Sequence, residues 1–124
     1  MRFRPIVLAC AALALAGIAF APWVPSLRLA FSMVCHQQPD RCFEWSGGPV
    51  VVCARCLGVY AGLLAASAWP VRAPGAALWG LAAVNGLDWL LNAAPNGPRF
   101  ALALVFTWLA AARLLASREH AASN

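Results

Sequence analysis

Charged side chains are scarce in this sequence. They make up 10% of the 124 residues, while hydrophobic residues make up 63%. Lysine is absent, so the formal net charge of +5 comes from arginines that outnumber the four acidic residues. A soluble domain needs many more charges to solvate its surface, and we therefore expect an integral membrane protein whose partner is the lipid bilayer.

The sequence also lacks the features of several other classes of protein. No basic run is interleaved with aromatic residues, so a nucleic-acid partner is not expected. No internal repeat or low-complexity linker divides the chain, and no motif identifies a protein partner. A chain of 124 residues has room for a single membrane domain over residues 1–124 and for no second domain.

Four apolar runs account for most of this length, and a membrane-spanning helix needs about 20 apolar residues. We expect an all-α fold, a small polytopic bundle of about four transmembrane helices, with one Cys/His-containing loop and a short interfacial helix before that loop. The helices are expected at about 5–22, 50–69, 76–94 and 99–116, and the loop at 35–49. The first run also resembles a secretory signal peptide, but Pro22 directly after a small-residue site disfavours cleavage, so we expect an uncleaved helix.

The placement of arginines sets the expected orientation, because arginine favours the cytoplasmic side of a membrane protein. An N-terminus inside the cell puts one group of arginines on the cytoplasmic side and a second group in or beside the cysteine loop. The first group is Arg2, Arg4, Arg72, Arg113 and Arg118, and the second is Arg28, Arg41, Arg55 and Arg99. Since a binding site can account for the second group, we expect a multi-pass protein of the cell inner membrane with both termini cytoplasmic.

Polar residues interrupt the third apolar run at regular intervals. Asn85, Asp88, Asn92 and Asn96 follow one another at steps of three, four and four residues, so we expect one polar stripe on a single helix face. An ionisable group inside a membrane is costly unless it is paired or hydrated. Asp88 is therefore a candidate functional residue.

Glycines mark a turn and a helix contact. Gly47-Gly48-Pro49 is a strong turn signal at the end of the polar loop. Gly58-x-x-x-Gly62 has the spacing that lets two helix backbones approach closely in lipid. We expect the second long helix to pack closely against a neighbour through this pair.

Four of the five cysteines lie between Cys35 and Cys56. Cys53-x-x-Cys56 stands at an expected helix start, where two thiols three residues apart lie on the same side and can share a metal ion or form a disulfide. The positive end of the helix dipole and the intervening Arg55 favour the thiolate forms. Cys53, Cys56, Arg55 and Asp88 are accordingly the candidate catalytic residues.

A four-ligand metal site needs two further ligands from the loop. The all-sulfur set is Cys35, Cys42, Cys53 and Cys56, and the alternative set replaces Cys42 with His36. Adjacent side chains diverge, so the pair of Cys35 and His36 is less suited to one ion, and His36 can instead serve beside the site or carry a proton. Zinc is the expected metal, with an iron-sulfur centre or a quinone as alternative cofactors.

Three arginines and a tyrosine complete the candidate site. Arg41, Arg55 and Arg99 can pair with acidic residues to hold the loop on the helix ends, or can hold an anionic or quinone-like cofactor beside the thiols. Tyr60 lies one helical turn after Cys56 and can hydrogen-bond into the same site or lie at the membrane interface.

Two stretches of the sequence carry a family resemblance. Cys35-His36-Gln37-x-Pro39-x-Arg41 and Pro49-Val50-x-x-Cys53-Ala54-Arg55-Cys56-x-Gly58-x-Tyr60-x-Gly62 resemble the signature of small prokaryotic membrane proteins, the domain of unknown function 2085 family. Asp88, Asn96 and Arg99 resemble polar positions of the same family. The resemblance implies a membrane location and a shared site. Because the family pattern usually has serine in place of Cys42, it favours Cys35, His36, Cys53 and Cys56 as the metal ligands, with Cys42 as the alternative.

Three functional hypotheses follow. The first is a membrane protein with a Cys/His metal site at the membrane interface. The second is a membrane thiol-disulfide or quinone oxidoreductase, in which Cys53 with Cys56 and Cys35 with Cys42 form exchanging disulfides, a layout similar to that of membrane thiol oxidases. The third is a structural or assembly factor without site chemistry.

Overall fold

The computed structural model describes residues 3–124 and is all-helical apart from one small hairpin. Arg2, which belongs to the expected cytoplasmic arginines, lies outside the described residues. The α-helices are α1 (Phe3–Phe20), α2 (Pro25–Ser32), α3 (Ala54–Ala68), α4 (Gly75–Leu91) and α5 (Asn96–Ser123). A single 3-10 turn at Ala21–Trp23 extends α1, and another lies at Pro39–Arg41.

Two stretches within residues 3–124 are long and apolar enough to cross a membrane, Phe3–Trp23 and Asn96–Ser123. Helices α3 and α4 are apolar but shorter, with 15 and 17 residues. At 1.5 Å per residue these two helices are about 22 and 26 Å long, which is less than the roughly 30 Å of a hydrocarbon core. The structure thus supports a helical membrane protein with two full-length candidate spans, and four complete spans are not established.

Helix α3 is short because its first apolar residues are used elsewhere. Val51 and Val52 are buried in a core with Ile18, Ala21 and Cys35, and this segment is not helical. The helix begins only after Cys53, which has an extended backbone at the N-cap position. The valines therefore anchor the end of the loop beneath α1, and they bring the Cys53 and Cys56 region next to Cys35.

The glycine pair of α3 packs directly against α5. A Cβ atom added to Gly58 would lie 2.5 Å from the carbonyl oxygen of Phe100, and one added to Gly62 would lie 2.6 Å from that of Leu104. No real side chain fits at such distances, so the two backbones are in direct contact. The close approach expected from Gly58-x-x-x-Gly62 is confirmed.

The polar stripe of α4 faces α5. Asn85 donates a hydrogen bond from Nδ2 to the carbonyl oxygen of Leu102 at 3.3 Å, and the carboxylate of Asp88 accepts a hydrogen bond from Arg99. The helix ends at Leu91, because Asn92 adopts a left-handed backbone with φ of 50°. Asn96 is the first residue of α5 and not the last member of the α4 stripe, a correction to the expected pattern.

The cysteine loop contains a hairpin that the sequence did not predict beyond its turn. Strand β1 (Glu44–Trp45) pairs antiparallel with β2 (Gly48–Pro49). Ser46 and Gly47 connect them with φ of 52° and 79°, and positive φ at both central residues is the requirement of a type I′ turn. The indole Nε1 of Trp45 donates to the carbonyl oxygen of Ala19 at 3.2 Å, which fixes the hairpin to the end of α1.

The contact between α3 and α5 yields a first prediction. Gly62→Ala should lower the free energy of unfolding by about 1–3 kcal/mol, because its Cβ would push the two backbones apart. Gly86→Ala on α4 is the matched control, since a Cβ at Gly86 meets no atom within 4 Å and alanine favours the helix. Unfolding by SDS titration in neutral detergent micelles, followed by far-UV circular dichroism, measures both variants. Equal stability of the two variants would contradict the prediction.

Candidate metal centre

Three cysteine sulfurs converge where the loop meets α3. The sulfur atoms of Cys35, Cys53 and Cys56 all lie within 4.8 Å of one another. Cys35 follows α2, and the other two lie at the N-cap and in the first turn of α3. The backbone N–H of Cys53 donates to the Cys35 sulfur at 3.1 Å, and Cys35 is only 6% exposed. The segments before and after the loop therefore bring their cysteine sulfurs together. We call these three sulfurs the three-sulfur group.

The geometry of the three-sulfur group suits a thiophilic metal ion. A tetrahedral zinc ion with Zn–S bonds of about 2.3 Å holds its sulfur ligands about 3.8 Å apart. The observed spread of up to 4.8 Å needs only a small contraction of side chains to reach that arrangement. Three sulfur ligands would leave the fourth tetrahedral position for another donor.

The pKa values of Cys53 and Cys42 are shifted in opposite directions. The neighbouring Cys56 side chain lowers the pKa of Cys53 to about 5, and backbone N–H groups of the helix start add to the effect. Burial raises the pKa of Cys42 to about 11, and the nearby Cys35 adds to the effect. The Cys53 thiol is therefore expected to ionise more readily than the Cys42 thiol. The Cys42 sulfur donates to the carbonyl oxygen of Gln38 at 3.1 Å.

The structure leaves His36 and Cys42 outside the three-sulfur group. His36 is exposed, and it lines a cavity of about 480 Å³ that the three sulfurs also line. The backbone bends sharply after His36, because Gln37 has a φ of 50° and its side chain donates from Nε2 to the carbonyl oxygen of Arg28 at 2.9 Å.

The cavity also has a cationic wall. Arg41 of the loop, Arg55 of α3 and Arg99 of α5 all line it, together with Gln38 and Trp89. The structure therefore brings together most of the candidate site residues around one space: the three sulfurs, the imidazole and the three guanidinium groups. We call this space the cysteine-arginine cavity.

Asp88 joins two of these arginines behind the wall. Its Oδ2 accepts hydrogen bonds from Arg55 Nη2 at 2.6 Å and from Arg99 Nε at 3.1 Å. Its Oδ1 accepts the backbone N–H of Ala94 at 3.0 Å, and Arg99 Nη2 donates to Asn92 Oδ1 at 2.9 Å. Asp88 is 9% and Arg99 4% exposed. This buried ion triad links α3, α4 and α5.

The remaining candidate packs away from the cavity. Tyr60 makes an edge-to-face contact with Phe31, with ring centroids 6.4 Å apart, and packs against the core that contains Val51 and Val52. It is not among the residues that line the cysteine-arginine cavity.

A contact that sequence reasoning missed fixes the loop onto α5. Asn96 donates from Nδ2 to the carbonyl oxygens of Cys42 at 3.2 Å and Asp40 at 3.3 Å. The signal available was an asparagine at a helix start beside the site. Its partners are backbone atoms more than 50 residues away, so no local pattern identifies them.

The ion triad yields a second prediction. Asp88→Asn should lower the free energy of unfolding by about 3–5 kcal/mol, because it leaves two largely buried guanidinium groups without their counter-charge. Glu119→Gln is the control, since Glu119 forms the partly exposed ion pair with Arg4 and should cost at most about 1 kcal/mol. The same detergent unfolding experiment compares the two. A folded Asp88→Asn protein with unchanged stability would show that the triad does not hold the helices.

Comparison with known proteins identifies the family. Residues 35–111 match the family described as "Predicted membrane protein (DUF2085)". An uncharacterized protein of Methanocaldococcus jannaschii is 47% identical over 38 residues, which cover 31% of this chain and 24% of that protein. Another, of Methanothermobacter thermautotrophicus, is 41% identical over 34 residues, which cover 27% of this chain and 31% of that protein.

The chain thus spans less than a third of the length of either curated relative. No solved structure matches it. The family match, in contrast, covers more than half of the chain and includes the three-sulfur group, the ion triad and all three cavity arginines. This chain therefore belongs to the DUF2085 family of membrane proteins.

Proposed function

We propose that this membrane protein binds a zinc ion through the thiolates of Cys35, Cys53 and Cys56 at the membrane interface, and that this ion carries its function. The observation that supports the proposal is the convergence of three sulfurs from two distant segments within 4.8 Å. Zinc sites of this kind commonly combine thiolates with a ligand of another type. An iron-sulfur cluster is less well supported, because such clusters use four cysteines and the Cys42 sulfur lies outside the group.

The fourth zinc position faces the cysteine-arginine cavity in this proposal. Zinc sites with three protein ligands keep the fourth position for water or substrate, and the ion then supplies Lewis-acid chemistry to a small ligand. His36 lines the same cavity, where an imidazole is suited to accept or donate a proton.

We propose further that both termini lie in the cytoplasm and that the site lies at the outer face of the cell inner membrane. The end of the bundle remote from the site supports this orientation. Arg4 of α1, Arg72 of the α3–α4 connection, and Glu119 and His120 near the end of α5 line one cavity there. The start of α1, the last turns of α5 and that connection therefore lie at the same end of the bundle, and arginine favours the cytoplasmic side.

Metal analysis tests the zinc proposal. Protein purified in neutral detergent without added chelator should contain about one zinc per chain, and Cys53→Ser should reduce this to background because one of three thiolate ligands is lost. Cys42→Ser and Cys10→Ser are the matched controls, since neither sulfur belongs to the three-sulfur group, and both should retain zinc. Inductively coupled plasma mass spectrometry measures the content. A zinc-free wild-type protein, or an equal loss in Cys42→Ser, would reject the proposal.

A thiol-disulfide oxidoreductase is the second candidate, and the lowered pKa of Cys53 favours it. A thiolate next to Cys56 and Cys35 has the arrangement needed to exchange disulfides with a partner dithiol or to pass electrons to a quinone. In this case exchange runs among these three sulfurs, since Cys42 is a buried thiol bonded to Gln38.

Thiol labelling separates the two candidates. If the site holds zinc, a chelator alone should make Cys35, Cys53 and Cys56 reactive towards a maleimide, because no disulfide protects them. If the site exchanges disulfides, two of the three should react only after a reductant is added. Mass spectrometry of labelled peptides gives the stoichiometry. A protein with neither zinc nor disulfide would instead support a structural or assembly role.

A further inference from the structure

We propose that the cysteine-arginine cavity binds a small oxyanion, a carboxylate or a phosphate, through Arg41, Arg55 and Arg99 beside the three-sulfur group. This inference deepens the proposed function, because it names the class of ligand that the same cavity takes. The groups that bind the anion are nevertheless not the metal ligands, so the two can be tested apart.

The charges around the cavity call for an anion. Three guanidinium groups line it, and within residues 3–124 the ion pairs they make all involve the single carboxylate of Asp88. Two positive charges therefore remain without a carboxylate partner. A zinc ion with three thiolates carries one net negative charge, so the filled metal site still leaves one positive charge for a monoanion.

Unused hydrogen-bond donors point the same way. Asp88 accepts hydrogen bonds from Arg55 Nη2 and Arg99 Nε, and Asn92 accepts one from Arg99 Nη2. The Arg41 side chain and the Nη1 atoms of Arg55 and Arg99 make no hydrogen bond within residues 3–124, although all three residues line the cavity. Charge-assisted bonds from guanidinium to carboxylate or phosphate are strong and directional. The arginines around the cavity therefore have donors for an oxyanion.

Asp88 also acts as a positioning residue for this site. It holds Arg55 and Arg99 from the side of α4, so that two long side chains from different helices keep a defined orientation before any ligand arrives. Preorganised donors reduce the entropy that binding costs. The cavity volume of about 480 Å³ is within the usual range for small-molecule sites, and it accommodates an oxyanion with a small organic substituent.

Anion titrations test the inference. Wild-type protein in neutral detergent is titrated with inorganic phosphate and with acetate by isothermal titration calorimetry. We expect at least one of them to bind, and Arg41→Gln to weaken that binding about tenfold or more through the loss of charge-assisted bonds. Arg41 is the informative position because it makes no ion pair in residues 3–124, so its replacement should leave the fold intact.

The matched control is Arg118→Gln. Arg118 is an exposed arginine on α5, about 28 Å further along the helix than Arg99, and it should bind no cavity ligand. Arg41→Lys should restore part of the affinity, because it keeps the charge but not the two-pronged donor. Absence of binding for both anions, or an equal loss in Arg118→Gln, would overturn the inference.

Two further measurements complete the test. The anion titration is repeated in nanodiscs of phosphatidylglycerol and of phosphatidylcholine to identify the source of the bound group. If phosphatidylglycerol alone competes with the added anion, the site takes a lipid headgroup; if neither lipid competes, it takes a soluble anion. Both results support oxyanion binding. Zinc content measured on the same samples separates the proposals. Anion binding by zinc-free protein upholds this inference and rejects the zinc proposal, whereas zinc without anion binding does the reverse.

Discussion

The buried carboxylate of Asp88 holds this molecule together at the end that carries the site. It is the one acidic group that pairs Arg55 of α3 with Arg99 of α5 in the described residues, and it does so from α4. Asp88 and Arg99 are buried, and buried charges are tolerated only when they are paired, so separating the helices would leave these ions without their partners. The triad therefore fixes the relative positions of three helices and, with them, one wall of the cysteine-arginine cavity.

Close backbone packing complements this ionic link. Gly58 and Gly62 let α3 lie directly on α5, so Arg55 and Arg99 come from neighbouring helices at the same level. The opposite wall of the cavity comes from the loop, which is fixed by the hydrogen bonds of Trp45 to α1 and of Asn96 to the loop backbone. Three thiol groups and three guanidinium groups thus line one space, which is the arrangement that the proposed metal ion and the proposed anion both require. The family match over residues 35–111 contains every one of these site groups, whereas α1 lies before it.

Much of the site was predictable because its signals are local. The C-x-x-C spacing of Cys53 and Cys56 determines that two thiols share one side of a helix start, and it needs no tertiary information. The Gly58–Gly62 contact and the inward face of Asn85 and Asp88 follow from helical periodicity in the same way. The hairpin at Ser46 and Gly47 was predicted only as a turn, because strands of two residues have no periodicity to detect. The positive φ of Gln37 has no sequence signal either, since glutamine rarely adopts it.

Composition and local spacing by themselves determined a helical membrane protein, its paired thiols, its polar helix face and its resemblance to the DUF2085 family. Only the tertiary structure decided that Cys35 joins Cys53 and Cys56 while His36 and Cys42 do not, that Asp88 pairs with Arg55 and Arg99, and that α3 starts at Ala54. The physical reason is that these contacts join residues far apart in the sequence. A helix repeats every 3.6 residues, so the sequence alone predicts which residues share a helix face. The approach of Cys35 to Cys53 instead depends on the path of the loop, which is set by a left-handed residue, a hairpin and buried valines.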